Sequence, residues 1–145
     1  MNVPRAPAEP PLNAGVVRSM KGNTGRGTKP ELAVRKALRE AGYPGYRLYW
    51  KGAPGHPDSC YPGRRVAVFV NGCFWHQCPV CRPPLPKHNS DYWIPKLRRN
   101  VERDAEKTAA LEAEGWIVVT VWECEMKRDP VGTVFRIVSV LVATR

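Results

Sequence analysis

Residues 68–81, VFVNGCFWHQCPVC, begin as a buried strand and end as a cluster of thiols, with two large aromatics and a histidine between. The strand extends backward, because Val66 to Val70 is an unbroken apolar run that suits a strand covered on both faces. Cys73, Cys78 and Cys81 follow a C-x4-C-x2-C spacing, and Cys124 lies 43 positions beyond Cys81, just after a second apolar stretch, WIVVTVW. Two residues between cysteines let both sulfurs reach one tetrahedral ion, so the spacing predicts a four-thiolate Zn2+ site tying the end of one strand to the end of its neighbour. Such a closed site has no open coordination position and is scaffolding. The fifth cysteine, Cys60, is left over.

Working outward, TKPELAVRKALREAGY reads as a helix with Thr28 as N-cap, Pro30 in the first turn, Leu32, Val34, Leu38 and Ala41 as its apolar set, and Gly42 ending it. YRLYW is a short strand candidate, and the turn-rich KGAPGHPD follows. SDYWIPKLRRNVERDAEKTAALEAEG reads as a long charged helix in which Pro95 is tolerable only in the first turn. WIVVTVW is a central strand and GTVFRIVSVLVATR a closing helix. This order predicts an α/β sandwich, a central mixed sheet flanked by helices. With 145 residues it forms one domain over 18–145. Residues 1–17 are read as a disordered leader, and 18–27 as a basic arm that orders against a partner.

The net charge of +10 is localised: residues 1–60 carry ten basic and four acidic groups, 61–104 eight and three, and 105–145 five and six. A positive field over the first two thirds favours a polyanionic partner, nucleic acid being the commonest. No signal peptide or membrane span is expected, so the reading is cytoplasmic, where clustered cysteines stay reduced and bind metal.

Asp58 follows a proline at the start of a strand, a position suited to a Mg2+ ligand because a small hard cation takes oxygen donors. Pro-Asp is equally the composition of an ordinary turn. His76 suits either a core histidine or an acid–base group near pH 7.

The motifs TKPE, PGHPD, VFVNGCFWH, DYWIPKLRRNVERD and GWIVVTVWECE together resemble the successive motifs of the very short patch repair (Vsr) DNA mismatch endonucleases, from about Ser19 to Glu125. The resemblance implies a restriction-endonuclease-like, PD-(D/E)xK-type fold that nicks one strand beside a T:G mismatch. It implies Mg2+ on Asp58 and on the main-chain carbonyl of Val70, His76 as the acid–base group for the attacking water, and Glu31 reaching the site through metal-bound water. Thr28-x-x-Glu31 is also a capping box, which would place Glu31 for purely local reasons. Phe74, Trp75 and Trp93 match side chains that the family wedges between base pairs. Lys96, Arg98, Arg99, Asn100 and Arg103 fall where phosphate and base-edge contacts are expected, although as a charge run they equally suit a solvated face. Arg18, Met20 and Lys21 fall in the family's N-terminal arm.

Two departures qualify the resemblance. Many relatives carry a histidine before GCFWH that helps hold the reacting phosphate, and here that position is Asn71, which transfers no proton. Slower cleavage, a changed substrate or a compensating group such as His56 or His88 would follow. Cys78 also stands where relatives often place a histidine, and Cys81 is one residue later than their next cysteine. The expected partner is duplex DNA with a T:G mismatch, and a cytosine-5 methyltransferase is the expected genomic companion. Two alternative readings are a weakly active mismatch or modified-base binding module, and a restriction-type nuclease of other specificity.

Overall fold

The computed structural model describes residues 26–144. The leader over 1–17 and the arm residues Arg18, Met20 and Lys21 lie outside the described residues.

Helix α1 (Lys29–Glu40) starts as its sequence dictates, with the Thr28 hydroxyl accepting from the Glu31 N–H and Pro30 in the first turn. Its buried face is Glu31, Val34 and Leu38. Leu32, expected in the apolar stripe, is 50% exposed. At 100° per residue it stands about 200° from Val34, on the opposite side of the helix.

Strand β1 (Arg47–Leu48) is shorter than YRLYW suggested, because Tyr49 turns left-handed at φ 48° and ends it. Strand β2 (Ser59–Tyr61) pairs antiparallel with both β1 and β3 (Val66–Asn71). The sequence placed neither the single helical turn α2 (Cys73–His76) nor, later, α4 (Glu123–Arg128). Helix α3 (Ser90–Ala113) crosses over to β4 (Ile117–Trp122), which runs parallel to β3 in register from Val66 opposite Ile117 to Asn71 opposite Trp122. Helix α5 (Pro130–Ala143) closes the chain. The sheet is mixed, with order β1-β2-β3-β4. Among the described residues no helix is long and apolar enough to cross a membrane.

Pro95 corrects an expectation. It lies in the sixth position of α3, in the second turn, where it has no N–H to offer the Asp91 carbonyl. The turn forms nonetheless, with Trp93 and Leu97 buried on either side of the proline.

Alternation along β3 divides the core. Val66, Val68 and Val70 join Val119 and Val121 of β4 against Val34 and Leu38 of α1 and Val134, Ile137 and Leu141 of α5. On the other face Ala67 and Cys60 meet Leu111 of α3 and Trp116. Cys60, outside the thiol cluster, is thus a core side chain, and burial pushes its pKa up to about 11. Leu38→Ala is expected to destabilise by about 3 kcal/mol, and Leu32→Ala on the same helix by less than about 1 kcal/mol. Equilibrium denaturation checks the pair, and equal losses would mean that the buried face of α1 is misassigned.

Candidate active site and metal centre

Strand β2 is only three residues long, and its pairing with β3 ends with Ser59 opposite Val68. Two residues further along β3, the Val70 N–H points to an edge with no strand partner. Asp58 fills that gap, its Oδ2 accepting from Val70 N at 2.7 Å. Because the N–H and C=O of one strand residue leave from the same edge, the Val70 carbonyl is directed to the side that Asp58 occupies. The Asp58 pKa is raised from 3.8 to about 7. Burial is the main cause and the nearby Glu31 charge adds to it, while the Val70 N–H, His76 and Lys107 oppose it.

Glu31 is the hub of a second set. Its Oε2 accepts from Tyr49 Oη at 2.7 Å, from Gly27 N at 2.9 Å and from Arg35 Nη2 at 3.1 Å, and the residue is 3% exposed. The capping box is therefore only half formed. Thr28 caps the helix, but the carboxylate reaches past Thr28 to Gly27 and is held by α1 and the residue after β1. The Glu31 charge also raises the Asp58 pKa, so the two carboxyl groups are near neighbours.

His76 ends α2, and its Nδ1 lies 2.6 Å from Asp104 Oδ2 on α3. A carboxylate on Nδ1 takes the N–H there and leaves Nε2 as the basic nitrogen. Asn71, at the end of β3, is 7% exposed and lines a cavity of about 500 Å3 with His76, Gln77, Asp104, Thr108 and Trp122. His56 and His88 are both exposed.

The thiols converge as their spacing predicts. The sulfurs of Cys73, Cys78, Cys81 and Cys124 all lie within 4.8 Å of one another, and Cys78 Sγ and Cys124 Sγ are 3.7 Å apart. A tetrahedral zinc with bonds of about 2.3 Å separates its sulfurs by roughly 3.8 Å, so the donor set fits. Main-chain N–H groups point at the sulfurs, Cys124 N at Cys73 Sγ (3.3 Å) and Val80 N at Cys78 Sγ (3.4 Å). Burial opposes ionisation of Cys78, but the N–H donors of Cys81 and Val80 together with hydrogen bonds from the Cys124 and Cys81 thiols hold its pKa below the ordinary thiol value. Burial raises those of Cys73 and Cys124. The cluster joins the start of α2 to the start of α4, the ends of β3 and β4.

Phe74, Trp75 and Trp93 form one aromatic group, with ring centroids 5.2 Å (Phe74–Trp75), 5.7 Å (Phe74–Trp93) and 5.9 Å (Trp75–Trp93) apart. Trp93 is 8% exposed and forms the base, whereas Phe74 and Trp75 are half-buried. Lys96 Nζ stands 6.0 Å over the Trp75 ring. Asn100 donates to the Trp75 carbonyl at 3.0 Å, and Arg99 pairs with Glu102 and Glu106. Arg98 and Arg103 are exposed.

The sequence reading missed Asp104, Lys107, Tyr49 and Arg35. A signal for the first two was present. Trp93, Leu97, Asn100, Asp104, Lys107 and Leu111 recur at steps of three and four, so one inward stripe of α3 has apolar ends and a polar middle. Arg35 also had a local signal, standing four residues after Glu31 on the same helix; Tyr49 had none, because Glu31 recruits it from 18 residues away.

Comparison with known proteins identifies the family. A family model described as DNA mismatch endonuclease Vsr matches residues 15–81. Type II nicking enzyme V.XorIIP of Xanthomonas oryzae pv. oryzae (strain KACC10331 / KXO85) is 50% identical over 101 residues, covering 70% of this chain and 74% of that protein. Type II nicking enzyme V.NaeI of Lentzea aerocolonigenes is 47% identical over 129 residues, covering 86% and 76%. DNA mismatch endonuclease Vsr of Escherichia coli (strain K12) is 31% identical over 110 residues, covering 76% and 70%. On these matches the chain belongs to the Vsr family of DNA endonucleases.

Proposed function

We propose that the chain nicks one strand of duplex DNA beside a T:G mismatch, as a metal-dependent phosphodiester hydrolase of very short patch repair. The observation that carries this reading is the grouping at the end of β3: Asp58 on the Val70 N–H, Glu31 close enough to raise its pKa, and His76 held by Asp104. The names of the relatives, a mismatch endonuclease and nicking enzymes, supply the substrate class. The reading takes the fold as PD-(D/E)xK-type and residues 18–145 as one domain.

Asp58 and the Val70 carbonyl would hold Mg2+, with Glu31 acting through water. The donors suit a hard cation, all being oxygen, and a carboxylate that burial keeps hard to ionise gains most from a positive charge. When bound, the ion polarises the scissile phosphate and steadies the leaving oxygen. His76 Nε2 takes a proton from the water as its oxygen bonds to phosphorus; the P–O bond to the leaving sugar oxygen breaks, and that oxygen is protonated from solvent. Asp104 fixes the tautomer and stabilises the imidazolium that forms. Zn2+ on Cys73, Cys78, Cys81 and Cys124 would be structural, fixing α2 and hence His76.

Phe74 and Trp75 would enter the duplex, backed by Trp93, a reading that their aromatic grouping supports. A flat side chain in the stack costs unstacking, and a mismatch lowers that cost. Lys96, Arg99 and Asn100, with Met20 and Lys21 of the 18–27 arm, would complete the DNA contacts. Arg99 would exchange its glutamate partners for phosphate. A cytosine-5 methyltransferase, whose deaminated product creates the mismatch, is the proposed genomic companion.

Duplexes carrying T:G, U:G, modified or fully paired sites, incubated with Mg2+ and scored for binding and strand cleavage, test the reading. T:G is expected to be nicked first. Asp58→Ala is expected to lose at least about 10³-fold in rate while still binding DNA. Cleavage without T:G preference would mean a nuclease of other specificity, and binding without cleavage a recognition module.

Cys124→Ser is expected to release zinc and cost at least about 3 kcal/mol of stability, followed by metal analysis and thermal melting. Retention of zinc at full stoichiometry by the variant would remove Cys124 from the ligand set.

The raised Asp58 pKa also fixes a pH dependence. Folded protein holds this proton more tightly than unfolded chain, so the Asp58 contribution is fully present below about pH 4 and lost as pH rises to about 7. Without Mg2+, Asp58→Asn should out-stabilise the parent by an amount that grows across that window, on the order of 3 kcal/mol at pH 8, and added Mg2+ should narrow the gap. A difference that stays constant with pH would contradict the burial of an ionisable carboxyl at this position.

A further inference from the structure

Lys107 lies on the inward stripe of α3, three residues beyond Asp104 and thus nearly in line with the residue that grips His76. Its aliphatic stem packs on the backbone of Gly55, at the turn that leads into Asp58. Gly55 has φ +77°, and a Cβ built there would sit 2.8 Å from Lys107 Cγ and 2.9 Å from Lys107 Cβ. The turn thus needs glycine twice, for its left-handed backbone and for the space that the lysine stem occupies. Lys107 is half-buried, and its charge acts on Asp58. Among the described residues none of the ion pairs within 4.0 Å includes it.

An ordinary surface lysine on a charged helix would reach a glutamate on its own face or extend into water. This one has its stem fixed against a glycine, its position on the stripe that faces the site, and, among the described residues, no carboxylate in a direct ion pair with its ammonium. A cation held in this way beside a reacting centre, close enough to act on Asp58 yet in no direct ion pair among the described residues, is suited to an anion that arrives with the substrate. His56 and His88 are exposed, and Arg35 already pairs with Glu31, so among the described residues Lys107 is a half-buried cation beside Asp58 outside these ion pairs.

We propose that Lys107 is a catalytic residue, its ammonium binding a non-bridging oxygen of the scissile phosphate and stabilising the charge that builds there during attack. The proposal rests on the hydrolytic reading of the Asp58 and His76 site, and it concerns a phosphodiester whatever the base pair beside it. No proton leaves Lys107. Its role is electrostatic, and Gly55 serves as the positioning residue that admits its stem.

The test is single-turnover nicking of a T:G duplex by the full chain at saturating enzyme, with DNA affinity and melting temperature measured in parallel. Lys107→Met is expected to slow nicking by roughly 10²-fold while changing DNA affinity by less than about threefold, and Lys107→Arg to recover at least about tenfold of the loss. Gly55→Ala, which leaves the ammonium present but displaces its stem, is expected to slow nicking as well. A duplex with a single-diastereomer phosphorothioate at the scissile position supplies the contact readout: the sulfur should slow the parent and have little further effect on Lys107→Met.

Nicking by Lys107→Met within about twofold of the parent would overturn the proposal. So would equal losses for the Met and Arg variants accompanied by a lower melting temperature, which would mark Lys107 as a packing residue. If the parent cleaves another duplex of the panel and not T:G, the mismatch reading fails while the same comparison on that duplex still decides Lys107. A parent that cleaves none of them overturns both.

Discussion

Where β2 runs out, the Val70 N–H faces an edge to which no strand among the described residues offers a partner, and the Asp58 carboxylate accepts from it instead. Much of the candidate site follows from that hydrogen bond. It draws a carboxyl group into a partly buried position at the end of the central strand, where burial and the Glu31 charge make ionisation costly. It also leaves the neighbouring Val70 carbonyl on the same edge. An unfinished sheet edge is usually a liability to be covered, and here it leaves two oxygens and a cost that a cation would offset.

The remaining parts are brought to this edge by two devices. The thiol cluster brings the starts of α2 and α4 together at the ends of the parallel pair, where a metal ion on its four sulfurs would fix the single turn that ends in His76. A four-residue helix has little stability of its own, and its geometry depends on what it is tied to. Helix α3 is the second device. It anchors by Trp93, Leu97 and Leu111 and uses the positions between them for Asn100 on the Trp75 carbonyl, Asp104 on His76 and Lys107 beside Asp58. One face of one helix thereby sets the aromatic platform, the histidine tautomer and a local positive charge.

Glu31 shows how a local motif is redirected by tertiary structure. TKPE specifies a helix start, and Thr28 acts as the cap. The carboxylate that a capping box would spend on the N-cap N–H is instead claimed by Gly27, Arg35 and Tyr49. Tyr49 lies 18 residues away, so sequence spacing does not relate the two, and the left-handed turn that ends β1 does.

Most of the elements and the candidate donors were legible in the sequence, α2 and α4 excepted. Apolar runs marked β3 and β4, the cap and proline marked α1, C-x4-C-x2-C with Cys124 marked the thiol cluster, and the motif order marked the family and Asp58, His76 and Glu31. These are properties of short stretches, set by periodicity, chirality and ligand geometry. The partners of those residues were decided only in three dimensions: Asp104 for His76, Tyr49 for Glu31, Lys107 against Gly55, the burial of Trp93 and the exposure of Leu32. The proline in the second turn of α3 belongs with them, since packing on both sides of it overrides the local preference. The division is physical. Local sequence fixes which conformations and which ligand chemistries are cheap, whereas burial, charge coupling and hydrogen-bond choice depend on which other segments the fold brings within a few ångströms.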